Sequence, residues 1–200
     1  MSELTIGTRD RLKRGTGGVG LFVRRWLANP LQMGSVVPSS PALGRRIAAL
    51  VERRGDEVVV ELGAGTGAIT RALLAGGVPP ERLVVVEIVP DMAQHLARSF
   101  PGVTVVQGDA FALPEALPAA LHGRVGTVIC GIPLVLLPVE QQRRFVAAVE
   151  AVAPGRGFLL YTYCVTSPLP WQALGLSARR EAWTPLNLPP ASVWRYRPAG

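Results

Sequence analysis

Three carboxylates and one glycine loop are the residues of this sequence whose types and spacing can do chemistry. The apolar run Val58-Val59-Val60 passes through Glu61 and Leu62 into Gly63-Ala64-Gly65-Thr66-Gly67. A buried-type strand that enters a glycine-rich turn lets the backbone approach a ligand closely at the start of the next helix. Gly63-x-Gly65-x-x-Ala68 also satisfies the dinucleotide fingerprint, so the glycines alone do not choose the ligand. Glu61 does narrow the choice, because a carboxylate two residues before the first glycine suits a cationic ligand better than one bearing two phosphates.

The next two strands add to the set. Leu83-Val84-Val85-Val86 ends in Glu87 and Ile88, and a carboxylate there can accept hydrogen bonds from ribose hydroxyls, a device that NAD enzymes share. Thr104-Val105-Val106-Gln107 is followed by Gly108-Asp109-Ala110-Phe111, which brings an acceptor and an aromatic to the same edge of a sheet, as an adenine amino group requires. Read one at a time, each acid is an ordinary solvated strand end. Taken together, Glu61, Glu87 and Asp109 converge on the carboxyl edge where open parallel sheets bind ligands. The cofactor that suits them is S-adenosylmethionine, whose ammonium and sulfonium are both cationic.

This set resembles the class I S-adenosylmethionine-dependent methyltransferases, with Glu61 to Gly67 as the first motif, Glu87 as the ribose acid and Asp109 as the adenine contact. The flanks Asn29-Pro30-Leu31-Gln32-Met33-Gly34-Ser35-Val36-Val37-Pro38-Ser39-Ser40 and Leu188-Pro189-Pro190-Ala191-Ser192-Val193-Trp194-Arg195-Tyr196 look like those of the bacterial phospholipid N-methyltransferases. That family is in turn similar to the rRNA adenine dimethylases. The resemblance extends from about Leu21 to Arg197. It implies methylation of phosphatidylethanolamine toward phosphatidylcholine, yielding S-adenosylhomocysteine. It also implies that Gln32, Gly34 and Ser35 fold over the methionine end of the cofactor.

A chain of 200 residues with 48% hydrophobic content is long enough for one domain with a real core. Its net charge of +7 is unevenly placed: residues 1–54 hold ten basic and three acidic residues, and the remainder balances at eleven of each. A basic end on a neutral body points to an anionic surface, either membrane or nucleic acid. Val19, Phe22, Val23, Trp26 and Leu27 recur at helical spacing with Arg24 and Arg25 on the opposite face, downstream of Arg9 to Arg14. That pattern fits either a helix docked on the domain or, better, an interfacial membrane helix. The expected organisation is a membrane-binding helix in residues 1–28, with Phe22, Trp26, Arg24 and Arg25 at the bilayer, and a methyltransferase domain in residues 29–200. No run reaches 18 apolar residues and the start lacks a signal-peptide layout, so a cytoplasmic protein, peripheral on the inner membrane, is expected. Cys130 and Cys164 read as buried thiols, and neither they nor His95 and His122 have metal-ligand spacing. A monomer without metal or nucleic acid partner is expected.

The elements that position the acids alternate: strand 57–62, helix 67–76, strand 83–87, helix 91–99, strand 104–107, helix 114–121, strand 125–130, helix 139–152 and strand 157–163. Two short runs near Arg180–Trp183 and Val193–Tyr196 predict a closing antiparallel hairpin. Before the first strand, Ser40-Pro41 opens a helix predicted to run to Arg54 with Gly55 as its stop. The expected fold is therefore α/β and Rossmann-like, with the mostly parallel seven-stranded sheet, C-terminal hairpin and extra N-terminal helices that the resemblance implies.

The acceptor side follows the fourth strand, at Cys130-Gly131-Ile132-Pro133-Leu134-Val135-Leu136-Leu137-Pro138. By the resemblance, amino-methylases acting on adenine carry Asn or Asp at the Gly131 position and an aromatic at the Leu134 position. Both are replaced here, and the nearly continuous apolar run suits an acyl chain, although it also reads as a buried extension of the strand. A primary amine that has lost its proton can attack a sulfonium methyl in line, and positioning alone supplies much of the rate. Gly131, Tyr161 and Tyr163 are the candidate residues at the reacting centre, the tyrosines through hydrogen bonding or cation–π contact. Ile132, Pro133 and Leu134 are candidates for the lipid, and Arg195 for its phosphate. An RNA methylase is the alternative: the basic end favours it, while the replaced Asn and aromatic and a missing C-terminal helical domain oppose it. A third reading is a catalytically silent membrane-binding module, which the intact acids oppose. Ornithine lipids are a further possible acceptor.

Overall fold

Five apolar runs form parallel strands: β1 (Val58–Leu62), β2 (Leu83–Glu87), β3 (Thr104–Gln107), β4 (Val125–Cys130) and β5 (Phe158–Thr162). Two longer strands, β6 (Leu176–Thr184) and β7 (Ala191–Pro198), complete a seven-stranded sheet of order β3-β2-β1-β4-β5-β7-β6. β7 runs antiparallel to both neighbours. The computed structural model describes residues 39–164 and 166–200. The predicted helix near residues 19–27, the 1–28 boundary, the bilayer residues Phe22, Arg24, Arg25 and Trp26, and the candidates Gln32, Gly34 and Ser35 all lie outside the described residues.

Every residue of β1, β2 and β4 is buried, and this is why their sequences are continuous runs of Val, Ile and Leu rather than alternating ones. β3, at one edge, exposes Thr104 and Gln107. The covering helices are α1 (Pro41–Ala49), α2 (Ala68–Ala75), α3 (Pro90–Ser99), the single turn α4 (Leu113–Ala116) and α5 (Val139–Val152). α1 and α2 press together closely: a Cβ added at Gly44 would stand 2.5 Å from Ala72 Cβ, so only glycine permits that approach. Leu43 and Ile47 of α1 then join Val59, Leu73 and Ile129 in the main core.

Two predicted helices are corrected. α1 begins as expected, with Ser40 Oγ accepting from the Leu43 N–H at 3.2 Å, but it ends at Ala49 rather than Arg54. The backbone beyond it has better partners elsewhere. Thr127 Oγ1 accepts from the Glu52 N–H at 2.8 Å and donates to the Glu52 carbonyl at 2.6 Å, while Arg195 donates to the Leu50 carbonyl. Gly126 makes room for this segment, since a Cβ there would lie 2.6 Å from the Glu52 carbonyl. The helix predicted over 114–121 is broken into α4 and flanking 3-10 turns at Ala110–Ala112 and Ala119–Leu121. Pro118 disfavours the helical conformation at the residue before it, and Leu117 is extended at φ −83°, ψ 133°.

Candidate active site

The chain reverses its winding direction between β1 and β4, and the crevice at their carboxyl ends is where open α/β sheets receive ligands. Two glycines meet across it. A Cβ on Gly131, just past β4, would lie 2.7 Å from the Gly63 carbonyl; one on Gly63 would lie 2.9 Å from Ile132 Cγ1. Gly63 also has φ +72°, where side chains are strained. The Gly131 N–H donates to the Leu62 carbonyl at 2.8 Å, tying the two strand ends together.

The glycine loop is held by the acid of the neighbouring strand. Glu87 Oε2 accepts from the Gly65 N–H at 3.0 Å and Oε1 from the Val89 N–H at 3.0 Å, with the Ile88 backbone adding to the set. Burial raises the Glu87 carboxyl from its ordinary range, and these backbone donors offset part of the rise. The spacing of the motif gave no sign that Glu87 braces the loop itself. Thr66 is exposed at the turn, and Gly67 caps α2 with φ +78°.

Glu61 is buried at the end of β1. Thr70 Oγ1, from the first turn of α2, donates to its Oε2 at 2.7 Å, whereas Oε1 is buried with no hydrogen-bond partner. Desolvation, offset by Thr70 and reinforced by the charge of Glu87, pushes the Glu61 carboxyl up to about 7. Thr70 was not singled out in the sequence, although a hydroxyl nine residues after the acid, one turn into the following helix, is a signal that could have found it. Asp109 is half-buried; its Oδ1 accepts from the Phe111 N–H at 2.9 Å and caps the turn that carries the buried Ala110. Phe111 packs edge-on against Phe145 of α5, with ring centroids 5.7 Å apart.

On the other side of the crevice stands Tyr161, near the carboxyl end of β5. Its Oη would lie 2.5 Å from a Cβ on Gly131, so the tyrosine hydroxyl occupies the space into which a side chain at 131 would project. It is hydrogen-bonded to Ser39. Burial first, and then the charge of Glu61, raises the phenol above its ordinary range, so Tyr161 stays a neutral hydroxyl. Tyr163, half-buried, is hydrogen-bonded to Asn187. Ile132 and Leu134 are buried, and Pro133 is half-buried between them. The Gln142 side chain holds the loop by donating to the carbonyls of Leu134 and Leu137 at 3.1 and 2.9 Å.

The structure does not bring Arg195 to this crevice. It is buried on β7 opposite Leu159, donating to Glu181 Oε1 at 2.8 Å and to the Leu50 carbonyl at 3.0 Å, with Glu52 at 3.2 Å. Its donors brace β6, β7 and the segment after α1, and none is left for a phosphate. Cys130 is buried, with its thiol pushed up to about 12 by desolvation, whereas Cys164 lies past β5 and is only half-buried, contrary to the expectation of two buried thiols; neither forms a disulfide.

A family model described as a methyltransferase domain matches residues 59–157. An ornithine lipid N-methyltransferase of Singulisphaera acidiphila is 31% identical over 185 residues, covering 88% of this chain and 94% of that protein. The chain belongs to the class I S-adenosylmethionine-dependent methyltransferases. A ribosomal RNA small subunit methyltransferase A from a Synechococcus strain is 33% identical over 144 residues, covering 64% of the chain and 46% of the relative, so the methyltransferase here spans about half that protein's length. Among solved structures, a TehB-like S-adenosylmethionine-dependent methyltransferase from Corynebacterium glutamicum superposes with a TM-score of 0.54 at 12% identity, covering 88% of this chain and 96% of its own. The mitomycin 7-O-methyltransferase MmcR superposes with a TM-score of 0.57 at 17% identity, covering 94% and 60%. At those identities the likeness is one of fold. S-adenosylmethionine is the methyltransferase's cofactor, and the unpartnered, buried Glu61 Oε1 beside the glycine loop fits its cationic end.

Proposed function

We propose that this methyltransferase transfers methyl groups to the primary amine of an aminolipid at a membrane surface, phosphatidylethanolamine or an ornithine lipid. The observation that carries the reading is the acceptor side of the crevice, which offers a neutral tyrosine hydroxyl over a glycine and then an apolar loop. It has no planar amide or aromatic after β4 to hold a nucleic acid base. Similarity to the Singulisphaera ornithine lipid enzyme over nearly the whole of both chains supports the same reading.

In this reading Glu61 Oε1 accepts from the cofactor ammonium, Glu87 adds the ribose hydroxyls to the backbone donors it already holds, and Asp109 Oδ2 faces the adenine, with Ile88, Ala110 and Phe111 lining that end. Gly63, Gly65, Thr66 and Gly67 supply the close backbone. The bound cofactor supplies an electrophilic methyl on its sulfonium. Gly131 leaves the acceptor path open, and the neutral Tyr161 hydroxyl accepts a hydrogen bond from the incoming amine and orients its lone pair. Tyr163, on its Asn187 support, borders the same path. Ile132, Pro133 and Leu134 exclude water from it. Catalysis is then mainly positioning of two bound groups.

RNA methylation is the second reading, favoured by the identity to ribosomal RNA methyltransferases over the middle of the chain. The test is incubation of the full chain with methyl-labelled S-adenosylmethionine and, in separate reactions, phosphatidylethanolamine vesicles, ornithine lipid vesicles and ribosomal RNA. Label in either lipid is the expected result; label in RNA alone overturns the proposal.

A further inference from the structure

The turn joining β6 to β7 reverses the usual rule of burial. In Thr184-Pro185-Leu186-Asn187-Leu188-Pro189-Pro190, the polar Asn187 is 1% exposed while Leu186 and Leu188 on either side are 81% and 76% exposed. Asn187 is the anchor: its Oδ1 accepts from the Ser40 N–H at 2.9 Å and its amide donates to the Pro189 carbonyl at 2.8 Å. With the middle residue drawn inward and prolines on both sides stiffening the chain, the two leucines are held outward. Trp183, 51% exposed, stands beside them on β6.

β6 runs parallel to β5, so this turn lies at the same sheet edge as the crevice. A second apolar projection shares that edge: Val135, Leu136 and Val139, each more than 40% exposed, follow β4. The two projections are three strand intervals apart, roughly 14 Å, and no charged residue occurs in 182–194 or 125–139. Basic side chains stand behind both, with Arg179 and Arg180 toward the base of the hairpin and Arg143 one turn along α5. Apolar tips backed by cations complement an anionic bilayer, with its acyl region inside and its headgroups outside. Isolated protruding leucines also suit a deformable medium, whereas a protein partner would need a matching pocket for each.

We infer that the β6–β7 turn is a membrane anchor whose Leu186, Leu188 and Trp183 enter the acyl region of a bilayer and hold the crevice edge against it, the choice of a bilayer as partner resting on the aminolipid reading above. The experiment uses the full chain and vesicles of mixed anionic and zwitterionic lipid. Leu186→Asp/Leu188→Asp, at exposed positions, is expected to keep the thermal midpoint and to lower vesicle partitioning roughly tenfold or more. Brominated lipids should quench the tryptophan emission less in Trp183→Phe than in the wild type, and equally in Trp171→Phe, whose position before β6 is at the opposite edge. Both results are required. Wild-type partitioning of the double variant, or unchanged quenching in Trp183→Phe, overturns the inference. A change in oligomeric state without a change in partitioning assigns the tip to a second copy of the chain and overturns it as well. Methyl transfer to short-chain, monomerically dispersed aminolipid separates the two proposals. Hairpin-dependent vesicle binding without any lipid methylation refutes the substrate and leaves the anchor, and lipid methylation with hairpin-independent binding does the reverse.

Discussion

The two halves of the crevice are built on opposite principles. Toward β1, β2 and β3, the surface that receives the cofactor is made of carboxylates already committed to backbone and hydroxyl donors: Glu87 on Gly65, Asp109 on Phe111 and Glu61 on Thr70. Toward β4, β5 and β7, the surface is made of space and apolar side chains: Gly131 under the Tyr161 hydroxyl, the Ile132–Leu134 loop and the exposed Leu136. A charged half recognises a fixed cofactor through directional bonds, whereas an apolar half is suited to a long, flexible substrate whose headgroup alone needs placing. The charged residues of the second half are struts within the sheet, as Arg195 and Glu181 are.

The sharpest way to break this contrast is Arg195. Arg195→Ala leaves Glu181, which the hydrogen bonds of Arg179 and Arg195 hold below the usual carboxylate range despite its desolvation, short of a buried partner. The expected loss is about 3 kcal/mol or more of stability in denaturant unfolding, with the acceptor KM unchanged. A raised KM at unchanged stability would move Arg195 into the substrate half.

Next in size is the proton linkage of the cofactor half. Glu61 has a folded value near 7, above its unfolded value near 4.5, so the cofactor-free fold binds more protons than the unfolded chain between them. Stability from this group is therefore present at low pH and lost as pH rises from about 4.5 to about 7, a change of order 3 kcal/mol. Chemical unfolding across that range should show the slope in the wild type and a shallower one in Glu61→Gln. Because the cofactor ammonium favours the ionised form, affinity for S-adenosylhomocysteine should also fall on acidification below pH 7, and fall less in the variant.

Two smaller changes separate the halves by their readouts. Glu87→Ala removes the brace of the glycine loop and should weaken S-adenosylhomocysteine binding by roughly 1–3 kcal/mol in calorimetry. Gly131→Ala places a methyl against the Tyr161 hydroxyl and the Gly63 carbonyl. Its kcat should drop about tenfold or more, a cost of the order seen on overpacking, with the larger share appearing in turnover and not in cofactor affinity. Equal losses in both quantities for both variants would show that the crevice does not divide in this way.

The cofactor half was legible in the sequence because its chemistry is local. A parallel strand buried on both faces reads as an apolar run, the acid follows the run, and the glycines follow the acid, so Glu61, Glu87 and Asp109 could be placed on one edge by counting residues. The limits of β2, β3, β4 and α5 followed from the same periodicity. What counting could not supply was any bond between distant segments. Thr127, 75 residues away, takes the Glu52 backbone groups and ends α1 early; Asn187, 147 residues from Ser40, is buried while its leucine neighbours are exposed; Tyr161 fills the space beside Gly131; and Arg195 turns from a surface cation into a strut between Glu181, Glu52 and Leu50. Pro118 was the exception, a local signal for a helix break that the apolar spacing around it obscured. The sequence by itself determined the strands, the glycine loop and the acids, because a buried strand and a tight turn each demand particular residues within a few positions. Only the tertiary structure decided which polar groups were already satisfied and which apolar ones were left outside, because a hydrogen bond or a burial is a property of two surfaces and the chain brings the second one from far away.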